Sequence, residues 1–99
     1  MTSRHWREDR IGRNALIELI GEGEKVDSFR VDRGHRNGAE IHTITTNAII
    51  IITNERTGKM ITKLIARPGQ IRKYYEDGNA PQEILRQARR NFEKGYNEM

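Results

Sequence analysis

The chain has 99 residues and carries 18 Lys and Arg against 14 Asp and Glu, which indicates one small domain with a net charge of +4. It has no cysteine, which excludes disulfides, thiolate metal sites and a cysteine nucleophile. No stretch reaches the roughly 18 apolar residues of a membrane span, and the first residues are too polar for a signal peptide. We therefore expect a cytoplasmic protein, or a domain taken from a longer one.

The N-terminal part of the chain predicts helices between about residues 3 and 22. Ser3 is a suitable N-cap for a short helix, and Asn14 is a suitable N-cap for a second one. The second helix is amphipathic, because Ala15, Leu16, Leu19 and Ile20 recur at helical spacing. Gly21 and Gly23 are expected to end it.

The middle of the chain predicts a roughly four-stranded antiparallel sheet over about residues 26–67. Four segments have strand character, at 26–32, 39–45, 48–53 and 59–67. The third, AIIIIT, is apolar at nearly every position, which indicates a central strand covered on both faces. Gly58 belongs to the hairpin loop that follows it, and Pro68 is expected to end the fourth strand.

The end of the chain predicts a helical turn at 70–76 and a helix over about 80–96, which begins near Pro81. Its apolar stripe is formed by Ile84, Leu85, Ala88, Phe92 and Tyr96. We interpret its cationic residues as a solvated helix face, namely Arg86, Arg89, Arg90 and Lys94. The predicted fold is therefore α+β, with N-terminal helices packed on the sheet and a C-terminal helix.

The polar residues favour chemistry that needs neither a metal nor a cofactor. The three histidines, at positions 5, 35 and 42, show no pair at ligand spacing, and there is no P-loop or dinucleotide motif. The remaining candidate residues are His, Arg, Lys, Thr and Tyr. These residue types suit cleavage of RNA through its own 2′-hydroxyl. That reaction needs a base, an acid and cations that balance the charge of the phosphate.

The candidate site lies on the strands that flank the apolar run and in the segment after them. His42 is a candidate for proton transfer, and Thr62 a candidate for positioning the phosphate. The candidates for binding the substrate are Lys63, Arg67, Arg72, Lys73, Tyr74 and Tyr75. Among them, the two tyrosines are candidates for stacking on a nucleobase. Each also has a structural interpretation as a sheet, surface or packing residue. The turn at Thr46-Asn47 decides whether His42 and Lys63 share a face.

The layout of residues 4 to 67 resembles the barnase–EndoU–colicin–RelE group of RNase folds, including its small phage-associated and polymorphic-toxin members. The residues that carry the resemblance are His5 and Arg10 near the start, and the segment IIIITNERTGKMIT that ends at Thr62. The resemblance implies a metal-independent ribonuclease, often a toxin or phage effector delivered into a target cytoplasm, with His5, Arg10 and Thr62 as catalytic positions. Residues 66–75 and the C-terminal helix lie beyond the usual core of that group.

Three hypotheses remain open from the sequence. The first is an active ribonuclease whose partner is RNA, with room for an additional protein partner, either an immunity protein or a host target. The second is a non-catalytic regulator or inhibitor of the phage type, which binds nucleic acid or protein through its basic surface. The third is a homodimer formed through an exposed sheet edge or the terminal helix, whereas the other two are compatible with a monomer.

Overall fold

The structure, a computed structural model, describes residues 15–76 and 78–98, with side chains as far as residue 93. Helix α1 (15–20) precedes four strands, β1 (Lys25–Val31), β2 (Glu40–Thr45), β3 (Ile49–Asn54) and β4 (Met60–Ile65), and two helices follow, α2 (Pro68–Arg72) and α3 (Gln82–Glu98). The strands form one antiparallel sheet in the order β1-β2-β3-β4. The prediction of an α+β fold is confirmed. The first predicted helix lies outside the described residues.

The sheet register divides the side chains into two faces. Phe29, His42, Ile52 and Thr62 pair in one row across the four strands, so their side chains share a face. The neighbouring row contains Ser28, Thr43, Ile51 and Lys63, which therefore lie on the opposite face. A bulge in β4 places Ile61 between the pairs that Met60 and Thr62 make with β3.

The helices α2 and α3 cover the face that contains His42. The core joins Ile44 and Ile50 of the sheet with Ile71 of α2 and Ile84 of α3, all of which are buried. Burial of one such side chain stabilises the fold by about 1.5–3 kcal/mol relative to exposure. In β3, Ile49 and Ile50 are fully buried whereas the two isoleucines after them are half-buried, so the strand is covered mainly at its first residues.

The turn between β2 and β3 is hydrogen-bonded to the end of α1 and to α3. The side chain of Asn47 donates hydrogen bonds to the carbonyl oxygens of Ile20 and Gly21, and the Asn47 carbonyl accepts one from Asn91 of α3. Ala48 then adopts a left-handed conformation with φ 60°, which is typical of the last residue of a three-residue hairpin loop. These contacts fix the register of β2 against β3.

The start of α2 differs from the prediction that Pro68 only ends a strand. Pro68 is the first residue of the helix, where its missing N–H costs nothing, and the backbone N–H of Arg67 donates to Gln70 Oε1 at 2.8 Å. The strand before it therefore ends at Ile65. In the part of the chain that the structure describes, no helix is long and apolar enough to cross a membrane.

Candidate active site

His42 lies in the middle of a hydrogen-bonded chain of three side chains. It is only 3% exposed, and its Nδ1 lies 2.5 Å from Tyr74 Oη while its Nε2 lies 2.9 Å from Glu40 Oε1. The carboxylate of Glu40 can only accept, so Nε2 of His42 carries a proton and donates to it. In the neutral imidazole Nδ1 is then an acceptor, and the Tyr74 hydroxyl, whose pKa is raised by burial, donates to it. Both ring nitrogens are therefore occupied.

Glu40 is held in its ionised form by this arrangement. The hydrogen bond from His42 is the main cause that lowers the pKa of Glu40; burial of the carboxyl opposes it, and the nearby charge of Arg33 lowers the pKa further. The Glu40 side chain is 24% exposed. Within the described residues only its Oε1 is hydrogen-bonded, which leaves Oε2 able to accept a further hydrogen bond.

Glu40 opens into a cleft of about 430 Å³ at one end of the sheet. The cleft lies between the β1–β2 loop, which supplies His35 and Gly38, and the β3–β4 loop, which supplies Arg56 and Thr57. Both loops lie at the same end because the first and third connections of an antiparallel meander join the strands at the same end of the sheet. The cleft therefore combines a carboxylate, an imidazole and a guanidinium.

Asn54 joins the two loops of the cleft. Its Oδ1 accepts hydrogen bonds from the backbone N–H groups of Arg56 at 2.9 Å and Thr57 at 3.0 Å. Its Nδ2 donates to the carbonyl oxygen of Asn37 at 3.0 Å in the opposite loop. A backbone bond from Glu55 to the Ala39 carbonyl, also at 3.0 Å, adds a second connection. The residues of the cleft are thus held relative to one another.

Gly38 allows Arg56 to lie against the first loop. Its φ of +95° favours glycine, and a Cβ at this position would lie 3.2 Å from Arg56 Nη2. Glycine therefore avoids the strain of a positive φ, and a methyl group here would make the guanidinium of Arg56 shift slightly.

Tyr74 and Tyr75 pack the segment after α2 against strand β1 of the sheet. Phe29 stacks on Tyr74 with ring centroids 5.2 Å apart and meets Tyr75 edge-on at 5.1 Å. Tyr75 Oη donates to Asp27 Oδ2 at 2.5 Å, and the pKa of Tyr75 is raised by burial first and then by this bond and the charge of Asp27. These contacts are packing contacts, which is the structural alternative to stacking on a base.

The structure brings together only some of the residues that the sequence indicated. Thr62 shares a row with His42, but Ile52 lies between them, so they are about 10 Å apart at the ordinary strand spacing. Lys63 lies on the opposite face, where its Nζ donates to Glu22, because it pairs with Ile51 and not with Ile52. The expectation of one site containing both His42 and Lys63 is therefore corrected.

The remaining predicted residues lie away from the cleft or outside the described chain. The guanidinium of Arg67 lies 5.2 Å from the centre of the Phe92 ring of α3. Arg72 and Lys73 are exposed at the end of α2. His5 and Arg10 lie outside the described residues.

Three residues of the cleft were missed, namely His35, Glu40 and Arg56. One signal in the sequence was available, because Glu40 and His42 are two apart in a strand and must share a face. A second signal was that the two polar loops of a four-strand meander lie at one end of the sheet. Neither signal fixes which side chains of the loops turn into the cleft.

No group of three His, Asp or Glu side chains that could hold a metal ion occurs among residues 15–76 and 78–98. Comparison of the chain with protein-family models, with curated proteins and with solved structures gives no match.

Proposed function

We propose that the cleft is the active site of a metal-independent ribonuclease, the activity implied by the resemblance to the barnase–EndoU–colicin–RelE group. One observation carries the proposal: a single cleft is lined by Glu40, His35 and Arg56. A carboxylate, an imidazole and a fixed cation are the components that attack by a 2′-hydroxyl requires: a base, an acid and a charge that balances the phosphate.

In the proposed reaction Glu40 Oε2 accepts the proton of the 2′-hydroxyl. The 2′-oxygen attacks the adjacent phosphorus, and the bond from phosphorus to the 5′-oxygen breaks. The protonated imidazole of His35 donates its proton to that 5′-oxygen, which leaves as a hydroxyl. The products are a 2′,3′-cyclic phosphate and a free 5′-hydroxyl. The guanidinium of Arg56 binds the non-bridging oxygens of the phosphate in the fork geometry that suits them.

His42 has a positioning role in this proposal. Because Tyr74 and Glu40 occupy both of its ring nitrogens, it cannot itself take a proton from a substrate without breaking one of these bonds. It orients the Glu40 carboxylate instead and keeps that carboxylate ionised, since the bond from His42 is the main cause of the lowered pKa. Thr62, Lys63 and Arg67 have no role in the cleft under this proposal.

The test is cleavage of a fluorescent single-stranded RNA in the presence of a chelator. We expect Glu40→Gln and His35→Gln each to lower the rate about 100-fold or more, which is the usual contribution of a general base or acid. Glu24→Gln is the matched control, because Glu24 is exposed and its side chain makes no hydrogen bond within the described residues. A wild-type rate that Glu40→Gln does not change would refute the assignment of the base.

A second candidate function is binding of RNA without turnover. The cations around the two loops favour it, because Arg33, Arg36, Arg56 and Lys59 are all exposed at the same end of the sheet. The same assay separates the two functions. RNA that is bound with a strong dependence on salt but stays intact would identify a binding module.

A further inference from the structure

The outer surface of α3 carries three arginines, Arg86, Arg89 and Arg90, which we name the arginine face. All three are exposed, whereas Ile84, Leu85 and Ala88 on the other side of the helix are buried in the core. Residues three and four positions apart in a helix lie about 5–6 Å apart at their Cβ atoms. The three guanidinium groups therefore project from one patch.

The three like charges do not stabilise the helix that carries them. Like charges four residues apart, as in Arg86 and Arg90, destabilise a helix by a few tenths of a kcal/mol. Glu83 and Glu93 are at suitable spacing to pair with the arginines, yet among the described side chains no ion pair of the arginine face is formed. The face is also separate from the cleft, whose lining comes from the loops and strands of the sheet.

The chemistry of the arginine face fits the phosphate backbone of RNA. Arginine offers a planar fork that binds phosphate oxygens in pairs, and all three cations here are arginine and not lysine. A surface for a protein partner would be expected to have aromatic or aliphatic anchors at its centre. The exposed described neighbours of the arginines on α3 are instead one amide, Gln82, and two carboxylates, Glu83 and Glu93, which leave the three arginines in excess.

We propose that the arginine face is an RNA-docking surface that holds the phosphate backbone outside the cleft. The inference rests on the proposed function in that it takes RNA as the ligand, but it concerns binding and not turnover. The contribution is electrostatic, so it must weaken as the salt concentration rises.

The test is the salt dependence of binding to a fluorescent single-stranded RNA long enough to span both sites. Every protein carries Glu40→Gln, so that the RNA stays intact. Loss of three phosphate contacts in the variant Arg86→Gln/Arg89→Gln/Arg90→Gln is expected to reduce the slope of log K against log salt by about 2. The affinity should fall about 100-fold at 0.1 M salt and converge with that of the parent near 1 M.

The matched control compares single substitutions of equal charge. Arg89→Gln should reduce the slope by about 0.7, whereas Lys25→Gln, which removes an exposed cation from the edge strand β1, should leave the slope unchanged. An unchanged slope in the triple variant would overturn the inference, and so would an equal loss from Arg89→Gln and Lys25→Gln. Because the assay measures binding on a background without the base, it tests the arginine face whether or not the cleft cleaves RNA.

Discussion

Tyr74→Phe removes one hydroxyl group and leaves the rest of the site in place. The phenylalanine ring can keep its stacking on Phe29, whose ring centroid lies 5.2 Å away. His42 Nδ1 loses the donor that lies 2.5 Å from it, and at 3% exposure His42 is shielded from bulk solvent. The substitution therefore leaves one buried acceptor without a partner.

The expected cost follows from that acceptor. A buried polar group that loses its partner destabilises a fold by about 1–3 kcal/mol. For a domain of this size 1 kcal/mol corresponds to about 4–8 °C in Tm, so a cost of about 1–3 kcal/mol lowers Tm by roughly 4–24 °C. Tyr75→Phe is the matched comparison, because it also removes a hydroxyl bonded at 2.5 Å. Its acceptor Asp27 is only half-buried, so water can replace the bond and the cost should be smaller.

The assay is urea denaturation followed by far-UV circular dichroism, with thermal unfolding as a second measurement. The m-value should stay constant, since the surface exposed on unfolding does not change. ¹⁵N chemical shifts of the His42 ring should show a proton on Nε2 in the wild type. A loss of stability in Tyr74→Phe that is no larger than the loss in Tyr75→Phe would refute the hydrogen-bonded chain of Tyr74, His42 and Glu40. A wild-type His42 protonated only on Nδ1 would refute it as well.

Three further predictions concern the cleft and the titrating groups. Gly38→Ala should weaken RNA binding more than Gly34→Ala, measured by fluorescence anisotropy; both have positive φ, but only at Gly38 does the new methyl group crowd Arg56. The lowered pKa of Glu40 contributes stability that is present above its unfolded pKa of about 4.3 and is lost as the pH falls through the lower folded pKa. The unfolding free energy should therefore decrease less steeply with falling pH in Glu40→Gln than in the wild type. An identical decrease in the two proteins would contradict the lowered pKa. The raised pKa of Tyr75 contributes stability that is present below pH of about 10 and is lost as the pH rises through the higher folded pKa. Tyr75→Phe should therefore lose less stability than the wild type in alkaline solution, and an equal alkaline loss would contradict the role of its hydroxyl.

Local patterns in the sequence predict the elements of this fold because each depends on near neighbours. The alternation in EIHTIT indicates a strand with Glu40 and His42 on one side, and the stripe through Ile84 and Ala88 indicates a helix with one buried face. The placement of a side chain relative to other elements does not follow from such local patterns. Whether His42 faces the same way as Lys63 depends on how two hairpins align their strands.

The alignment of the strands depends on features that the residue types alone do not specify. The β2–β3 turn places a left-handed Ala48 where glycine is the usual residue, and the hydrogen bonds of Asn47 to α1 hold it there. The bulge at Ile61 shifts the start of β4 by one residue. The cleft was missed for a related reason, because the contact between its loops depends on tertiary hydrogen bonds of Asn54.

The most direct measurement of the central claim uses a DNA oligonucleotide with a single embedded ribonucleotide, incubated with the protein and a chelator. The proposed chemistry predicts one cut, on the 3′ side of the ribonucleotide, with a 2′,3′-cyclic phosphate on one product and a 5′-hydroxyl on the other. Glu40→Gln should leave the oligonucleotide intact over the same time. An intact oligonucleotide in the wild-type reaction, cuts at deoxyribonucleotides, or equal cleavage by Glu40→Gln would contradict the assignment of the cleft as the site of attack by the 2′-hydroxyl.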